Sequence, residues 1–146
     1  MKRHASLAPL SRQHHGALLL ARLLQKGAPA YKGLPTDSSE KAVYAIQFYR
    51  DELIPHFAAE ENIVLPGIKG VTDKLDILSQ EILLEHKELR LLFDMIPNAA
   101  HLESHLDILG SALEKHIRKE ERELFPLIQE TCNETILAGI MRSLTE

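Results

Sequence analysis

The sequence has little cysteine, few aromatic residues and no tryptophan. Cys132 is the one cysteine among 146 residues, which excludes an internal disulfide and a cysteine-built metal site. Aromatic residues make up 5% of the chain, but apolar residues as a whole make up 45%. The chain therefore has enough apolar side chains for a hydrophobic core, and that core must hold without a disulfide.

Long apolar runs and an excess of positive charge are also lacking. No apolar run approaches the ~20 residues of a membrane span, and the opening MKRHASLAPLSRQHH has no apolar stretch typical of a signal peptide. A net charge of −4 gives no reason to expect nucleic acid or an anionic membrane as a partner. We therefore predict a single cytoplasmic domain over residues 1–146.

Apolar spacing predicts four long helices and a short tail helix. We place them at about residues 6–25, 37–65, 73–96 and 99–130, with the tail helix starting at 133. Gly- and Pro-containing breaks separate them, and Pro55 inside the second helix predicts a bend. No stretch alternates with strand periodicity. Helices of ~20 residues with short connections favour an all-α fold, an antiparallel up-down-up-down four-helix bundle with a short C-terminal helix.

Histidine is abundant, with eight residues, and two of them begin a repeated motif. HFAAEENIVLP starts at His56, and HIRKEERELFP starts at His116. Both read His, three residues, Glu-Glu, three residues, an apolar residue, Pro. Residues four apart share one face of a helix, so His56 pairs with Glu60 and His116 pairs with Glu120.

These two pairs predict a metal site. Leu53 and Leu113 precede the histidines by three residues, so each histidine lies on an otherwise apolar stripe. Buried imidazoles and carboxylates need partners, which a metal would supply; iron, manganese and zinc suit such ligands. The alternative is a solvated ion pair without a metal. Glu61 and Glu121 point about 100° away from the first acids, and we predict a solvated face for them.

The other two helices offer further inward histidines. His86 lies on a face with Leu83, Leu89 and Phe93, and opposite two His/Glu pairs it is a predicted ligand. On the first helix, His14 shares its face with Leu10, Ala17 and Ala21, whereas His15 shares its face with Ser11 and Arg22. The face argument therefore favours His14. His101 and His105 lie roughly 16–22 Å along the helix from His116, and with His4 they are predicted to stay outside the site.

This order of ligands resembles the hemerythrin-like family, the HHE cation-binding domains, over roughly residues 11–129. The resemblance implies a four-helix bundle that holds two non-haem irons, although zinc or manganese could occupy the same ligands. It implies the following metal ligands: His14 and His56 for one iron, His86 and His116 for the other, and Glu60 and Glu120 as bridges.

Arg90 departs from the pattern of oxygen-carrying hemerythrins, which have a histidine four residues after the helix-three histidine. The departure puts reversible oxygen carriage in question. Because a guanidinium cannot ligate a metal, Arg90 should turn away towards the surface or an acidic neighbour. Glu52, Glu85 and His15 are the candidates for a replacement ligand.

Three functions remain open from the sequence. The favoured one is a metal-dependent binding or sensing module for oxygen, nitric oxide or iron, with no assigned catalytic residue. Any signalling would then need a separate redox or signalling partner protein. The second is a di-iron enzyme that reduces oxygen, peroxide or nitric oxide, and the third is a zinc-occupied structural bundle. The sequence does not determine the oligomeric state.

Overall fold

A computed structural model describes residues 2–146, and within that range the chain is helical without a strand. The helix bounds lie within three residues of the predicted ones, which confirms the all-helical fold. The five helices are α1 (Ala8–Leu24), α2 (38–67), α3 (Asp73–Asp94), α4 (102–131) and α5 (Glu134–Thr145), with a 3₁₀ turn at Ile96–Asn98.

Polar side chains cap three of the helices at their N-termini. The Asp37 carboxylate accepts a hydrogen bond from the Glu40 N–H, and the Thr72 hydroxyl accepts one from Leu75. Asn133 caps α5 in the same way. Each cap satisfies an N–H that has no partner in the first helical turn, which explains why the helices begin at these points.

Helices α2 and α4 contain wide five-residue turns of π-helical geometry. In α2 they are Tyr49–Leu53 and Glu60–Val64, and in α4 the wide turn is Glu120–Leu124. In each turn the residue after it donates its N–H to the carbonyl five residues back; the pairs are Ile54 to Tyr49, Leu65 to Glu60, and Phe125 to Glu120.

A proline follows each wide turn, and it explains the turn. Pro55, Pro66 and Pro126 come two residues after the last residue of their turns. A proline donates no N–H, and its ring collides with the carbonyl four residues before it. An extra residue in the preceding turn lets the helix continue past the proline. Where the sequence predicted a bend at Pro55, the structure has a wide turn.

Two apolar clusters form the core, one on each side of the inward histidines. One cluster includes Ala17, Ala21, Leu89 and Leu113, and the other includes residues from both ends of the chain. The members of this second cluster include Leu7, Leu10, Val64, Ile68, Leu75, Ile82, Phe125, Ile128, Leu137 and Ile140. The histidines therefore lie midway along the helices, shielded from solvent at both ends.

Leu83 was predicted to share the buried face with His86, and this was wrong. Its exposed fraction is 38%, whereas that of Ile82 is 0%. The residue four positions before His86, and not the one three before it, faces the core. The helical face is therefore offset slightly from the predicted one.

Helices α1 and α4 pack closely, and Gly110 makes this approach achievable. A Cβ at position 110 would lie 2.5 Å from the Ala21 carbonyl oxygen, too close for any larger residue. The residues that flank α1 contact α4 in opposite chain order, since Arg3 binds Glu121 while the Lys26 N–H binds Asp107. No helix within residues 2–146 has both the length and the apolar character to cross a membrane.

Candidate metal centre

All six predicted ligands are buried in the middle of the bundle. Their donor atoms form two overlapping groups, and within each group these atoms lie within 4.8 Å of one another. The first group holds His14, His56, Glu60 and Glu120, and the second holds Glu60, His86, His116 and Glu120. Both glutamates belong to both groups, so the structure brings the six side chains into one centre with two halves.

The two halves have similar contacts between histidine and glutamate, and in the first half the Nε2 atoms of His14 and His56 also lie 3.1 Å apart. In the first half, Glu120 Oε1 lies 2.8 Å from His14 Nε2, and Glu60 Oε1 lies 3.4 Å from His56 Nε2. In the second half, His86 Nε2 lies 3.2 Å from Glu60 Oε1, and His116 Nε2 lies 3.2 Å from Glu120 Oε2. Each glutamate therefore lies nearest to one histidine of its own helix and one of a neighbouring helix. Glu120 also lies 3.9 Å from His56 Nε2 and 3.7 Å from His86 Nε2.

The polar atoms at this centre are under-satisfied by the protein alone. Despite these close contacts, both carboxylate oxygens of Glu60 and Glu120 and the Nε2 atoms of His86 and His116 have no partner with hydrogen-bond geometry within the described part of the chain. Buried polar atoms normally have one, because leaving them unpaired costs free energy. Imidazole nitrogens and carboxylate oxygens are metal donors. The residues present therefore fit metal cations.

The pKa shifts of Glu60 and Glu120 also favour the presence of cations. Burial raises the pKa of Glu60 well above its usual range, and the nearby Glu120 charge adds to the shift. Burial also opposes ionisation of Glu120, but the surrounding histidines, His116 foremost, hold its pKa well below the usual range. For His116, burial lowers the pKa, but Glu120 and Glu85 outweigh it and raise the pKa to about 9. The protein alone balances the buried negative charge with protons, a role that cations can take over.

Glu61 and Glu121 were predicted to lie on a solvated face, and this was wrong. Glu61 Oε2 lies 2.6 Å from Nδ1 of His86. Glu121 Oε1 lies 3.6 Å from Nδ1 of His14. The 100° rotation takes each second acid away from the centre but towards a neighbouring helix, where the outer nitrogen of an inward histidine needs a partner. Such partners orient histidines that bind metals.

Gln13 and Glu85 supply the corresponding partners for the other two histidines. Gln13 Oε1 lies 2.6 Å from Nδ1 of His56, and Glu85 Oε1 lies 2.8 Å from Nδ1 of His116. Glu85 was a candidate replacement ligand, but it lies outside the two donor groups. It contacts the outer edge of His116 instead.

Arg90 turns away from the centre and binds an acid, as predicted. Its Nη1 and Nη2 atoms donate to the two oxygens of Glu61 at 2.7 and 3.1 Å. Its guanidinium also lies over the Phe57 ring, 5.4 Å from the centroid. Arg90, Glu61 and His86 thus form one chain of contacts from the surface to the centre.

Arg3 forms a similar chain in the first half, which the sequence did not predict. It donates to Glu121 at 3.0 Å and lies over the Phe125 ring at 5.5 Å. Ser11 donates a second hydrogen bond to the same carboxylate. Arg3 precedes the first residue of α1, so helical spacing gives no signal for it.

The remaining histidines and candidate ligands lie elsewhere. His15 and Glu52 are exposed, and neither belongs to a donor group. His105 contacts the Leu92 carbonyl oxygen, and His4 contacts Ser6. The face argument that chose His14 over His15 therefore agrees with the geometry. No other described side chain joins the donor groups in place of the histidine absent at position 90.

Comparison with known proteins agrees with this arrangement. No curated protein and no solved structure matches the chain. A family profile described as Hemerythrin, the hemerythrin HHE cation binding domain, matches residues 6–128. The match includes all six buried donor residues and both repeated motifs, and it spans most of the 146 residues. The chain therefore belongs to the hemerythrin HHE cation-binding domain family.

Proposed function

We propose that this protein binds two metal ions, iron in the cell, and that it binds or senses a small ligand such as oxygen or nitric oxide there. The proposed ligands are His14 and His56 for one ion and His86 and His116 for the other. Glu60 and Glu120 serve both ions. A pair of non-haem irons would supply coordination positions for a diatomic ligand and the capacity to change oxidation state.

The observation that carries the proposal is the sharing of two buried carboxylates by two donor groups. One cation would serve only one of the two donor groups, whereas two cations would serve both groups and partner the carboxylate oxygens of Glu60 and Glu120. The four histidines present Nε2 towards the centre, and their Nδ1 atoms face acids or an amide. For His56, His86 and His116 these contacts are at hydrogen-bond distance, the arrangement that fixes the tautomer and direction of a histidine for metal binding.

We also propose that the first four helices form an antiparallel up-down-up-down bundle in one domain. The two apolar clusters support this order. Along α1 and α3 the chain passes from the cluster of Leu7 to the cluster of Ala17, and along α2 and α4 it passes in the reverse direction. Such alternation places the midpoints of all four helices at one level, where a shared centre can form.

Arg90 shapes the expected chemistry. Its guanidinium is held by Glu61, so the second metal has two histidines from the protein and no third. Fewer protein ligands leave more positions for exchangeable ligands. We therefore favour sensing or reactive handling of a small ligand over stable oxygen carriage. Iron handling, a di-iron enzyme that reduces oxygen, peroxide or nitric oxide, and a zinc-occupied structural bundle are the alternatives that the experiment must separate.

Metal content tests the proposal directly. After anaerobic loading with ferrous iron and removal of loose metal, elemental analysis should give about two irons per chain. A variant with both Glu60→Ala and Glu120→Ala should retain less than one. Less than one tightly bound metal in the parent protein would overturn the two-metal proposal.

Optical spectra then separate the functions. A reversible change when oxygen or nitric oxide is added and removed supports ligand binding or sensing. Repeated consumption of oxygen, peroxide or nitric oxide with a reductant identifies an enzyme instead. Retention of zinc against excess ferrous iron, with no spectral response, identifies the structural alternative.

A further inference from the structure

Gln13 and Glu85 occupy matching positions in the two halves of the centre. Gln13 directly precedes His14 on α1, and Glu85 directly precedes His86 on α3. Each reaches across to the outer nitrogen of a histidine on the following helix, at 2.6 Å for Gln13 and 2.8 Å for Glu85. The two contacts have the same role but different chemistry.

The chemical difference lies in the acceptor. An amide oxygen is neutral, whereas a carboxylate oxygen carries charge and accepts stronger hydrogen bonds. A carboxylate that accepts the Nδ1–H bond makes the imidazole a more basic ligand at its Nε2 atom. Because the Gln13 contact is the shorter one, the difference between the halves depends on charge and not on distance.

The contacts at the outer nitrogens of the other two histidines, His86 and His14, also give the second half the closer carboxylate. Glu61 lies 2.6 Å from Nδ1 of His86, whereas Glu121 lies 3.6 Å from Nδ1 of His14. Both histidines of the second half therefore have a carboxylate at hydrogen-bond distance. In the first half one histidine has an amide, and the other has a carboxylate beyond hydrogen-bond distance.

Lys119 moderates this difference without removing it. It binds Glu85 Oε2 at 2.9 Å, while His116 uses the other oxygen, Oε1. Glu81 Oε2 also binds the Lys119 ammonium group, at 2.6 Å. The lysine therefore shares its charge between two acids, and the oxygen that faces His116 keeps its role as acceptor.

We infer that Glu85 and Gln13 are positioning residues that make the two metal positions unequal, with tighter binding at the position of His86 and His116. The inference rests on the proposed function, since it requires two metal positions. It implies that the second half fills first and that the protein holds one ion firmly and the other more readily exchanged.

Exchange of the two residues tests the inference. The probe is Zn²⁺, which has no redox chemistry, titrated into the metal-free full chain in competition with a chromophoric chelator. The parent should take up two ions in two distinguishable steps. Glu85→Gln should weaken the tighter step about tenfold, and Gln13→Glu should strengthen the weaker step by a similar factor. A gain of affinity from Gln13→Glu cannot come from damage to the fold.

Glu81→Gln is the matched control, because it removes an acid from the same lysine without touching a histidine. It should leave both steps within about twofold of the parent, as expected for a partly exposed ion pair. An equal effect of Glu81→Gln and Glu85→Gln would assign the change to general charge and overturn the inference.

Two further results would overturn the inference while leaving the two-metal proposal intact. One is uptake of two ions with equal affinity by the parent protein. The other is a Gln13→Glu variant whose weaker step is unchanged. Uptake of less than one ion by the parent would instead overturn the proposed function, and with it the inference.

Discussion

The two halves of the metal centre reach the same packing from different parts of the sequence. In the second half, Phe57 stacks on His86 with ring centroids 4.2 Å apart, and Arg90 covers the Phe57 ring. Glu61 joins the arginine to the histidine. The result is a clamp of four side chains, with the arginine one helical turn beyond the histidine.

In the first half, the corresponding clamp uses the start of the chain. Phe125 stacks on His14 at 5.6 Å, and Arg3 covers the Phe125 ring. Glu121 joins Arg3 to His14. The first-half clamp is looser in both its stacking and its carboxylate contact. The comparison shows that a cation, a ring and an acid surround both His86 and His14. The acid has the same position in both repeated motifs, whereas the cation and the ring come from different sequence positions.

The largest expected effect comes from removal of a ligand in one half. His14→Ala should lower the iron content from about two to about one per chain, because the first position loses one of its two histidines. His15→Ala should leave it at two, because His15 is exposed. Elemental analysis of loaded protein measures both. A lower iron content in His15→Ala than in His14→Ala would show that the inward face of α1 is assigned wrongly.

A smaller effect should follow when the acids of the two clamps are changed. Glu61→Gln should weaken Zn²⁺ binding about tenfold, because Glu61 contacts His86 at 2.6 Å and also holds Arg90 with both oxygens. Glu121→Gln should cost less, because its contact to His14 is 3.6 Å. Chelator competition gives both constants. A larger loss in Glu121→Gln would mean that the first-half clamp is the more important one.

The sequence predicts the inner donor atoms better than their surroundings. The inner histidines and glutamates lie on largely apolar stripes, so periodicity and the repeated motif together indicate them, and their role as metal ligands stays a prediction. The choice of His14 over His15 on α1 could also be made from the sequence, because His15 shares a face with Arg22. The repeated Glu-Glu can also be read from the sequence. The second acid was wrongly assigned to solvent, because the outer nitrogen of a buried histidine also needs a partner.

The contacts of Gln13 and Arg3 could not be predicted from helical periodicity. Gln13 is an exposed residue on α1, yet its side chain reaches His56 on α2. Arg3 precedes α1, so no helical periodicity applies to it. Both contacts depend on how neighbouring helices are placed, which the periodicity of a single helix does not contain. The wide turns before Pro55, Pro66 and Pro126 could not be predicted either, because a proline permits either a bend or an inserted residue.

The arginines allow a more direct test of the two clamps through stability. Arg90→Leu and Arg3→Leu each remove an ion pair and a ring contact at the partly exposed rim. The free energy of unfolding of the metal-free protein should fall by about 0.5–1 kcal/mol in each. Urea denaturation measures it. We expect the larger loss for Arg90, because it binds Glu61 with two nitrogens whereas Arg3 binds the Glu121 carboxylate with one; the opposite order would contradict the ranking of the clamps.

The smallest expected effect should sharpen the difference between the halves. Lys119 neutralises part of the Glu85 charge through Oε2. Lys119→Met should therefore strengthen the hydrogen bond from His116 and tighten the second position for Zn²⁺. The gain should be only about twofold, because partly exposed ion pairs are weak, and it should shrink in high salt, where such charges are screened. Lys115→Met is the control, since Lys115 is exposed one helical turn earlier on α4. If Lys119→Met weakens the tighter step, the lysine must hold Glu85 in place more than it neutralises it, and the difference between the halves would then depend on position and not on charge.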